Sequence, residues 1–126
     1  MDPEQVFIDE RLDNAALQEL YPDDYSHAAI VFRQFVKSAP QQMAEIDKHF
    51  SDATMQVFRE KVHKLKPVFS FVGLTSLQNQ AAFIEEQCKN GCTAADIAPA
   101  YTIFKNNFST SFPVVEEVLL KLKDEI

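Results

Sequence analysis

The sequence predicts an all-α protein, an antiparallel up-and-down four-helix bundle preceded by short helices. Apolar residues recur at intervals of three and four through most of the chain, which is the spacing of amphipathic helices. Only two glycines occur, Gly73 and Gly91, too few for the tight hairpins of a β fold. With 126 residues there is room for one compact core. We therefore expect a single domain over residues 1–126, of which residues 1–12 could form a flexible N-terminal extension.

The first half of the chain predicts three helices. A short one runs from about Asn14 to Leu20 and stops at Pro22. The second has one apolar stripe at helical spacing, made of Ala28, Val31, Phe32, Phe35 and Val36. Pro40 fits the first turn of a third, short helix. That helix has its own stripe, made of Met43, Ile46 and Phe50.

Two striped helices follow the polar break at residues 51–54. The first ends at Gly73, a natural C-terminal cap, and buries Phe58, Val62, Leu65, Phe69 and Val72. Residues 75–78 resemble a capping box that opens the next helix, which continues until Gly91. Its stripe consists of Leu77, Ala81, Ile84 and Cys88. Because a short turn joins them, these two helices should pack antiparallel.

The last helix is predicted to start at Thr93 and to carry the pattern almost to the end of the chain. Its stripe consists of Ile97, Tyr101, Phe104, Phe108, Val115, Leu119 and Leu122. Pro99 and Pro113 should kink or break it, because proline lacks the backbone donor that a helix interior requires. The stripes of all these helices predict a shared core, not a function.

Composition excludes several classes of function. A net charge of −7 argues against nucleic acid as the main partner. The first residues lack the basic head and apolar run of a signal peptide, and no later segment is apolar enough to cross a bilayer, so we expect a cytoplasmic protein with no membrane partner. The scarcity of glycine excludes a glycine-rich phosphate loop, which disfavours an ATP-hydrolysing enzyme.

The two cysteines, Cys88 and Cys92, are expected to be reduced thiols. A disulfide between them would be unusual in the cytoplasm and with Cys88 in a helix. A zinc site would need two further ligands at suitable spacing. We therefore predict no bound metal and no cofactor of the protein's own.

A basic cluster stands out in this acidic chain. Four of the twelve basic residues fall within eight positions: Arg59, Lys61, Lys64 and Lys66. His63 lies among them, about 140° from the apolar stripe on a helical wheel, and should face water. The same side carries Gln56, Arg59, Lys66 and Ser70. His27 and His49 have no such setting. The cluster predicts a small anionic target near His63.

The residues from His63 to Gly73, HKLKPVFSFVG, resemble the H-x-L-K-G-x-x-x-x-x-G motif of the histidine phosphotransfer family. Histidine, leucine, lysine and the final glycine match without a gap, whereas Pro67 replaces the first glycine. The resemblance extends downstream to Leu77, Ala81, Ile84 and Glu85, and upstream to Phe32 and Phe35. It thus covers about the whole chain and implies a helical phosphocarrier without kinase or ATP-binding activity.

The resemblance implies a role for each residue of the site. His63 would accept a phosphoryl group from a receiver aspartate, and an imidazole suits this because a good fraction is neutral and nucleophilic near pH 7. Lys66 would stabilise the phosphoryl oxygens, and Glu85 would hold the ring through Nδ1. The partners would be receiver domains of response regulators or hybrid kinases, which would supply the magnesium. Residues expected to bind them are Gln56, Arg59, Lys64, Pro67, Ser70, Phe71 and Lys89.

Two other functions stay open at this point. A histidine-kinase dimerisation domain also carries a proline soon after its histidine, but an acidic residue normally follows that histidine, where this chain has Lys64. No ATP-binding domain fits within the chain. The second alternative is a helical adaptor that binds signalling partners without phosphorylation.

Two smaller points concern Lys89 and the oligomeric state. Instead of binding a partner, Lys89 could equally form a surface pair with Glu85, four residues earlier. We expect the protein to act as a monomer.

Overall fold

The computed structural model describes residues 9–124, and every regular element in this part of the chain is helical. The elements are α1 (Asn14–Leu20), α2 (Tyr25–Lys48), a 3-10 turn (Asp52–Thr54), α3 (Met55–Phe71), α4 (Thr75–Lys89) and α5 (Ala94–Asp124). The all-α prediction is therefore confirmed. Within residues 9–124, no helix combines the length and the apolar character that crossing a bilayer would require.

The core lies between α2, α3, α4 and α5. Each of these helices packs against the next one along the chain, and α5 also packs against α2, so the four enclose one shared interior. Aromatic rings fill much of that interior. Among the largest fully buried side chains are Phe32, Phe58, Phe69, Tyr101 and Phe104. The predicted stripes thus form a single core, and the opposite faces of the helices remain available to solvent.

The prolines do not divide the helices, so the separate helix predicted to start at Pro40 is wrong, and neither Pro99 nor Pro113 breaks the last helix. The second and third predicted helices are one helix, α2, with Pro40 inside it. Its buried face continues through Ala39 and Met43 to Ile46, and this burial offsets the backbone hydrogen bond that Pro40 cannot make. Likewise, α5 continues through both Pro99 and Pro113 to Asp124. Within residues 9–124, α1 is therefore the one short helix before the bundle.

The turn between α3 and α4 is built around Gly73, as predicted. Gly73 has a φ of 74°, in the left-handed region that favours glycine. The amide of Leu74 donates to the carbonyl of Phe69 at 2.9 Å, and the amide of Gly73 donates to that of Ser70 at 3.2 Å, which together form a Schellman motif. The predicted capping box is wrong, because Leu74 is the N-cap of α4 and makes no side-chain cap.

The segment before α1 packs onto this turn. The side chain of Asp13 caps α1 by accepting from the amide of Ala16 at 3.1 Å, and it also accepts from the hydroxyl of Thr75 at 2.8 Å. The amide of Asp13 donates to the carbonyl of Gly73 at 2.8 Å. Of the predicted N-terminal extension, residues 1–8 lie outside the described residues, whereas Leu12 is buried in the core.

Candidate functional site

His63 lies near the middle of α3, on the side of the helix that faces away from the core. Its neighbours Val62 and Leu65 are buried, whereas the side chain of His63 is 63% exposed. The buried residues of α3 recur every three or four positions, at Phe58, Val62, Leu65 and Phe69, and form one stripe. His63 lies off this stripe, on the opposite side of the helix. A reactive imidazole at this position is accessible to another protein.

Glu85, on the neighbouring helix α4, holds the His63 ring. Nδ1 of His63 and Oε1 of Glu85 are 2.6 Å apart. Glu85 follows the buried Ile84, so its side chain emerges at the boundary between α3 and α4 and is only 13% exposed. The turn at Gly73 brings these two helices together, and the residues that meet are 22 positions apart in sequence.

Lys66 completes the cluster from α3. Its Nζ donates to Oε2 of Glu85 at 2.7 Å, so the two carboxylate oxygens have different partners. Burial by itself raises the pKa of Glu85, but the hydrogen bonds from Lys66 and His63, and the charges of both, outweigh it and hold the pKa below its usual value of 4.5. Glu85 is therefore ionised at neutral pH.

An ionised carboxylate can only accept hydrogen bonds, and this determines the proton position on the neutral imidazole. Because Glu85 accepts at Nδ1, the Nδ1 atom of the neutral ring carries the proton. The lone pair is then on Nε2. The cluster of His63, Glu85 and Lys66 can thus present an unprotonated, nucleophilic nitrogen to solvent.

The other residues predicted for the site lie around this cluster and do not share its hydrogen bonds. Gln56, Lys64 and Pro67 are exposed on α3, and Arg59 is half-buried one turn before His63. The hydroxyl of Ser70 donates to the carbonyl of Pro67 at 2.6 Å, so it serves the helix backbone.

Phe71 and Lys89 lie further from the imidazole along their helices. Phe71 ends α3 and is 42% exposed. Lys89 ends α4, exposed, one turn beyond Glu85. The ion pair of Glu85 is made with Lys66, across the helix boundary, and not with Lys89.

An apolar pocket lies between α2 and α3, beside the face that carries Lys64. It has a volume of about 340 Å³, and the apolar residues that line it are Ile30, Val31, Phe35, Val68 and Phe71. Gln42 borders this pocket and also a second depression, which contains Lys61 and Lys64. Glu45 also lines the second depression and pairs with Lys61 at 4.0 Å. One continuous face therefore has an apolar end and an end at which Lys64 makes the charge net positive.

Sequence reasoning predicted Phe71 and Lys64 as partner-binding residues, and both lie on this face, but it missed Ile30. Ile30 is 59% exposed on α2. It stands within an apolar run, yet it is off the buried stripe marked by Ala28, Phe32 and Phe35. A helical wheel of α2 would have shown Ile30 as an apolar residue on the polar side, which indicates an exposed contact residue.

The chain also matches a known protein family. The model of the Hpt domain matches residues 31–122, more than two thirds of the chain, from α2 almost to the end of α5. This range contains His63, Lys66 and Glu85. No curated protein and no solved structure gives a significant match to the chain. The extent of the family match shows that the chain belongs to the Hpt domain family, whose members are phosphocarriers that exchange phosphoryl groups with receiver domains in two-component signalling.

Proposed function

We propose that this protein is a phosphorelay intermediate in which His63 accepts a phosphoryl group from the aspartate of one receiver and passes it to another. The observation that carries this proposal is the exposed imidazole whose Nδ1 is held by the ionised carboxylate of Glu85, leaving Nε2 as the nucleophile. The protein would be a carrier and not a kinase.

The proposed step exchanges one bond at phosphorus for another. Nε2 of His63 bonds to the phosphorus atom while the bond from phosphorus to the receiver's aspartate oxygen breaks, and the aspartate leaves as a carboxylate. Such a transition state is loose and gains most from alignment and charge neutralisation. Glu85 supplies alignment by holding the ring. The receiver would supply magnesium, and transfer to a second receiver reverses the same step.

Lys66 would supply charge neutralisation from this protein. In the resting structure its Nζ is hydrogen-bonded to Glu85, and the side chain remains 29% exposed. An ammonium group has three donor hydrogens, so one can stay with Glu85 while another binds a phosphoryl oxygen. The same residue would thus fix the carboxylate and attract the phosphoryl group.

The receiver would dock on the continuous face between α2 and α3. Its apolar end offers Ile30 and Phe71, which are both substantially exposed, and its basic end offers Lys64 next to His63. Protein interfaces combine an apolar centre with a polar rim, and a basic rim complements the acidic residues with which a receiver binds magnesium. Arg59, Gln56, Pro67 and Ser70, like Lys89 on α4, would lie at the edges of the contact.

The scaffold supporting this site would be an antiparallel, up-and-down four-helix bundle of α2 to α5, acting as a cytoplasmic monomer. Ring contacts support the antiparallel order of α2 and α3, because the start of α3 meets the segment just after α2 and its end meets the middle of α2. The rings of Phe50 and Phe58 are 5.3 Å apart, and those of Phe35 and Phe69 are 6.3 Å apart.

The test is transfer from a phosphorylated receiver to the purified protein. We expect phosphate that is labile to acid and stable to base, located on His63 by mass spectrometry. The variant His63→Gln should lose it entirely while keeping its helical circular dichroism, and His27→Gln, at another exposed histidine, should keep it. Phosphate on another residue in His63→Gln would refute the proposal. Receiver binding without any transfer would indicate an adaptor instead.

A further inference from the structure

Three sulfur-containing side chains lie near one another at the end of the bundle where α3 begins and α4 ends. The thiol of Cys88 contacts Sδ of Met55 at 3.7 Å, across the boundary between the two helices. Cys92 follows the turn at Gly91, where its amide donates to the carbonyl of Gln87 at 3.2 Å, and it lies near enough to raise the pKa of the Cys88 thiol. Both cysteines are free. All three side chains are half-buried, so the cluster is shielded but still reachable from solvent.

We propose that Met55, Cys88 and Cys92 form a binding site for a soft monovalent metal ion, Cu(I). Thiolate and thioether sulfur atoms are the ligands that Cu(I) prefers in proteins. Metal–thiolate bonds are about 2.3 Å long, so three sulfur atoms placed around one ion would be separated by about 4 Å. The separation of Cys88 and Met55, 3.7 Å, is already close to this value.

The surroundings of the cluster favour this ion over zinc. Within residues 9–124, no group of three or more histidine, cysteine or acidic side chains is arranged to hold a metal. Zinc in structural sites takes four ligands, usually thiolate, imidazole or carboxylate. Here the third ligand is the thioether of Met55, which zinc does not usually bind. A three-coordinate soft ion such as Cu(I) needs no fourth ligand.

Binding would replace two thiol protons. Burial first, and then the neighbouring Cys92, raise the pKa of Cys88 to about 12, so the Cys88 thiol holds its proton in the free protein. Each Cu(I) would bond to two thiolates and one thioether sulfur, and two protons would pass to solvent. The positive charge of Arg59 lowers the cost of ionising Cys88 and would stabilise the resulting anionic site.

The experiment is an anaerobic titration of the full chain with Cu(I), in competition with a chromophoric Cu(I) chelator and with reductant present. We expect one ion per chain and, by X-ray absorption, three sulfur neighbours at about 2.3 Å. Cys92→Ser should abolish competition with the chelator. Met55→Leu keeps the apolar volume, and should weaken binding by roughly tenfold and reduce the sulfur count to two.

Met43→Leu is the matched control, since Met43 is a buried methionine on α2. It should leave affinity and sulfur count unchanged, and circular dichroism should show that every variant is folded. No competition with the chelator by the wild-type chain would overturn the proposal. It would also be overturned by identical affinity and an identical sulfur count in Met55→Leu and the wild type, because the ion would then be held adventitiously by the two thiols without Met55.

Discussion

Glu85 has one partner for each of its carboxylate oxygens, and the chemistry of the site depends on this sharing. His63 binds one oxygen at 2.6 Å and Lys66 binds the other at 2.7 Å. The carboxylate therefore stays ionised and fixes the imidazole at the same time. The sequence could suggest Glu85 only through its position beside Ile84 and a family resemblance. It could not show that Lys66 shares the carboxylate, because that depends on how α3 and α4 pack.

Glu85→Ala should release the His63 ring and slow phosphoryl transfer. Without the acceptor, both tautomers of the neutral imidazole become accessible, and Nε2 is nucleophilic in only one of them. We expect a rate loss of roughly 10- to 100-fold, the usual cost of removing a residue that orients a functional histidine. The ¹⁵N chemical shifts of the ring report the tautomer directly. Glu86→Ala, at the exposed neighbour, should change neither the transfer rate nor the ring shifts. Unchanged ring shifts in Glu85→Ala would show that Glu85 does not hold the imidazole.

The ionisation of Glu85 should also appear in the pH dependence of stability. Its pKa is below the usual 4.5 in the folded protein, so the unfolded chain binds the proton more tightly. The stabilisation is therefore fully present above pH 4.5 and is lost as pH falls through the folded value. Urea unfolding of the wild type and Glu85→Gln should differ by a constant amount above this pH, and the difference should shrink below it. A difference that does not change with pH would mean that Glu85 acts through packing alone.

Lys66→Ala should impair transfer more than stability. We expect transfer to slow by at least roughly tenfold, since a donor to the phosphoryl oxygens is lost, though from a site open to water. Stability should fall by less than about 1 kcal/mol, as for partly exposed ion pairs. Lys105→Ala is a fair control, because Lys105 also pairs with a carboxylate, that of Asp47 at 3.2 Å. Normal transfer with a large stability loss would make Lys66 a structural residue.

At the level of helices, apolar spacing and glycine predicted most of what the structure contains. The boundaries of α1 and the end of α3 at Gly73 follow from local sequence. The prolines misled the prediction, since Pro40 marks a helix start in isolation but lies within α2. Local preference is weak there compared with the burial of a stripe that spans the whole helix. The capping role predicted for Thr75 was also wrong because of a contact that local sequence does not show. Its hydroxyl donates to Asp13, which lies 62 residues earlier.

The turn at Gly73 should be the most sensitive backbone position between helices. A Cβ added there would lie 2.9 Å from Cδ1 of Leu17 and 3.3 Å from the amide nitrogen of Asp13. Gly73→Ala therefore combines left-handed strain, about 1 to 2 kcal/mol, with displacement of α1. Gly91→Ala is the control, with a φ of 83° and open space around the position. Urea unfolding should show a larger loss of unfolding free energy for Gly73→Ala than for Gly91→Ala. Equal losses would mean that α1 can move away from the added Cβ without loss of stability.

For the molecule as a whole, the sequence predicted the all-α class, which is confirmed, and proposed His63 as the phosphoacceptor, but it could not describe the surface around His63. Charges on α3 identified Lys64, and the exposed end of α3 identified Phe71. The contribution of α2 was hidden, because which of its residues border α3 depends on the packing of two helices. Two apolar residues of equal exposure, 59%, now mark different faces: Ile30 lies between α2 and α3, and Ile103 lies between α4 and α5.

These two isoleucines allow the proposed docking face to be tested with matched variants. Ile30→Asp places a charge in the apolar part of the α2–α3 face, where a receiver would have to desolvate it, and should weaken receiver binding by at least roughly tenfold. Ile103→Asp adds the same charge elsewhere and should leave binding unchanged. Titration calorimetry with an unphosphorylated receiver measures both. Because a small phosphodonor such as phosphoramidate needs no docking face, it should phosphorylate His63 equally in the two variants. Weaker receiver binding by Ile103→Asp than by Ile30→Asp would place the docking face on α4 and α5.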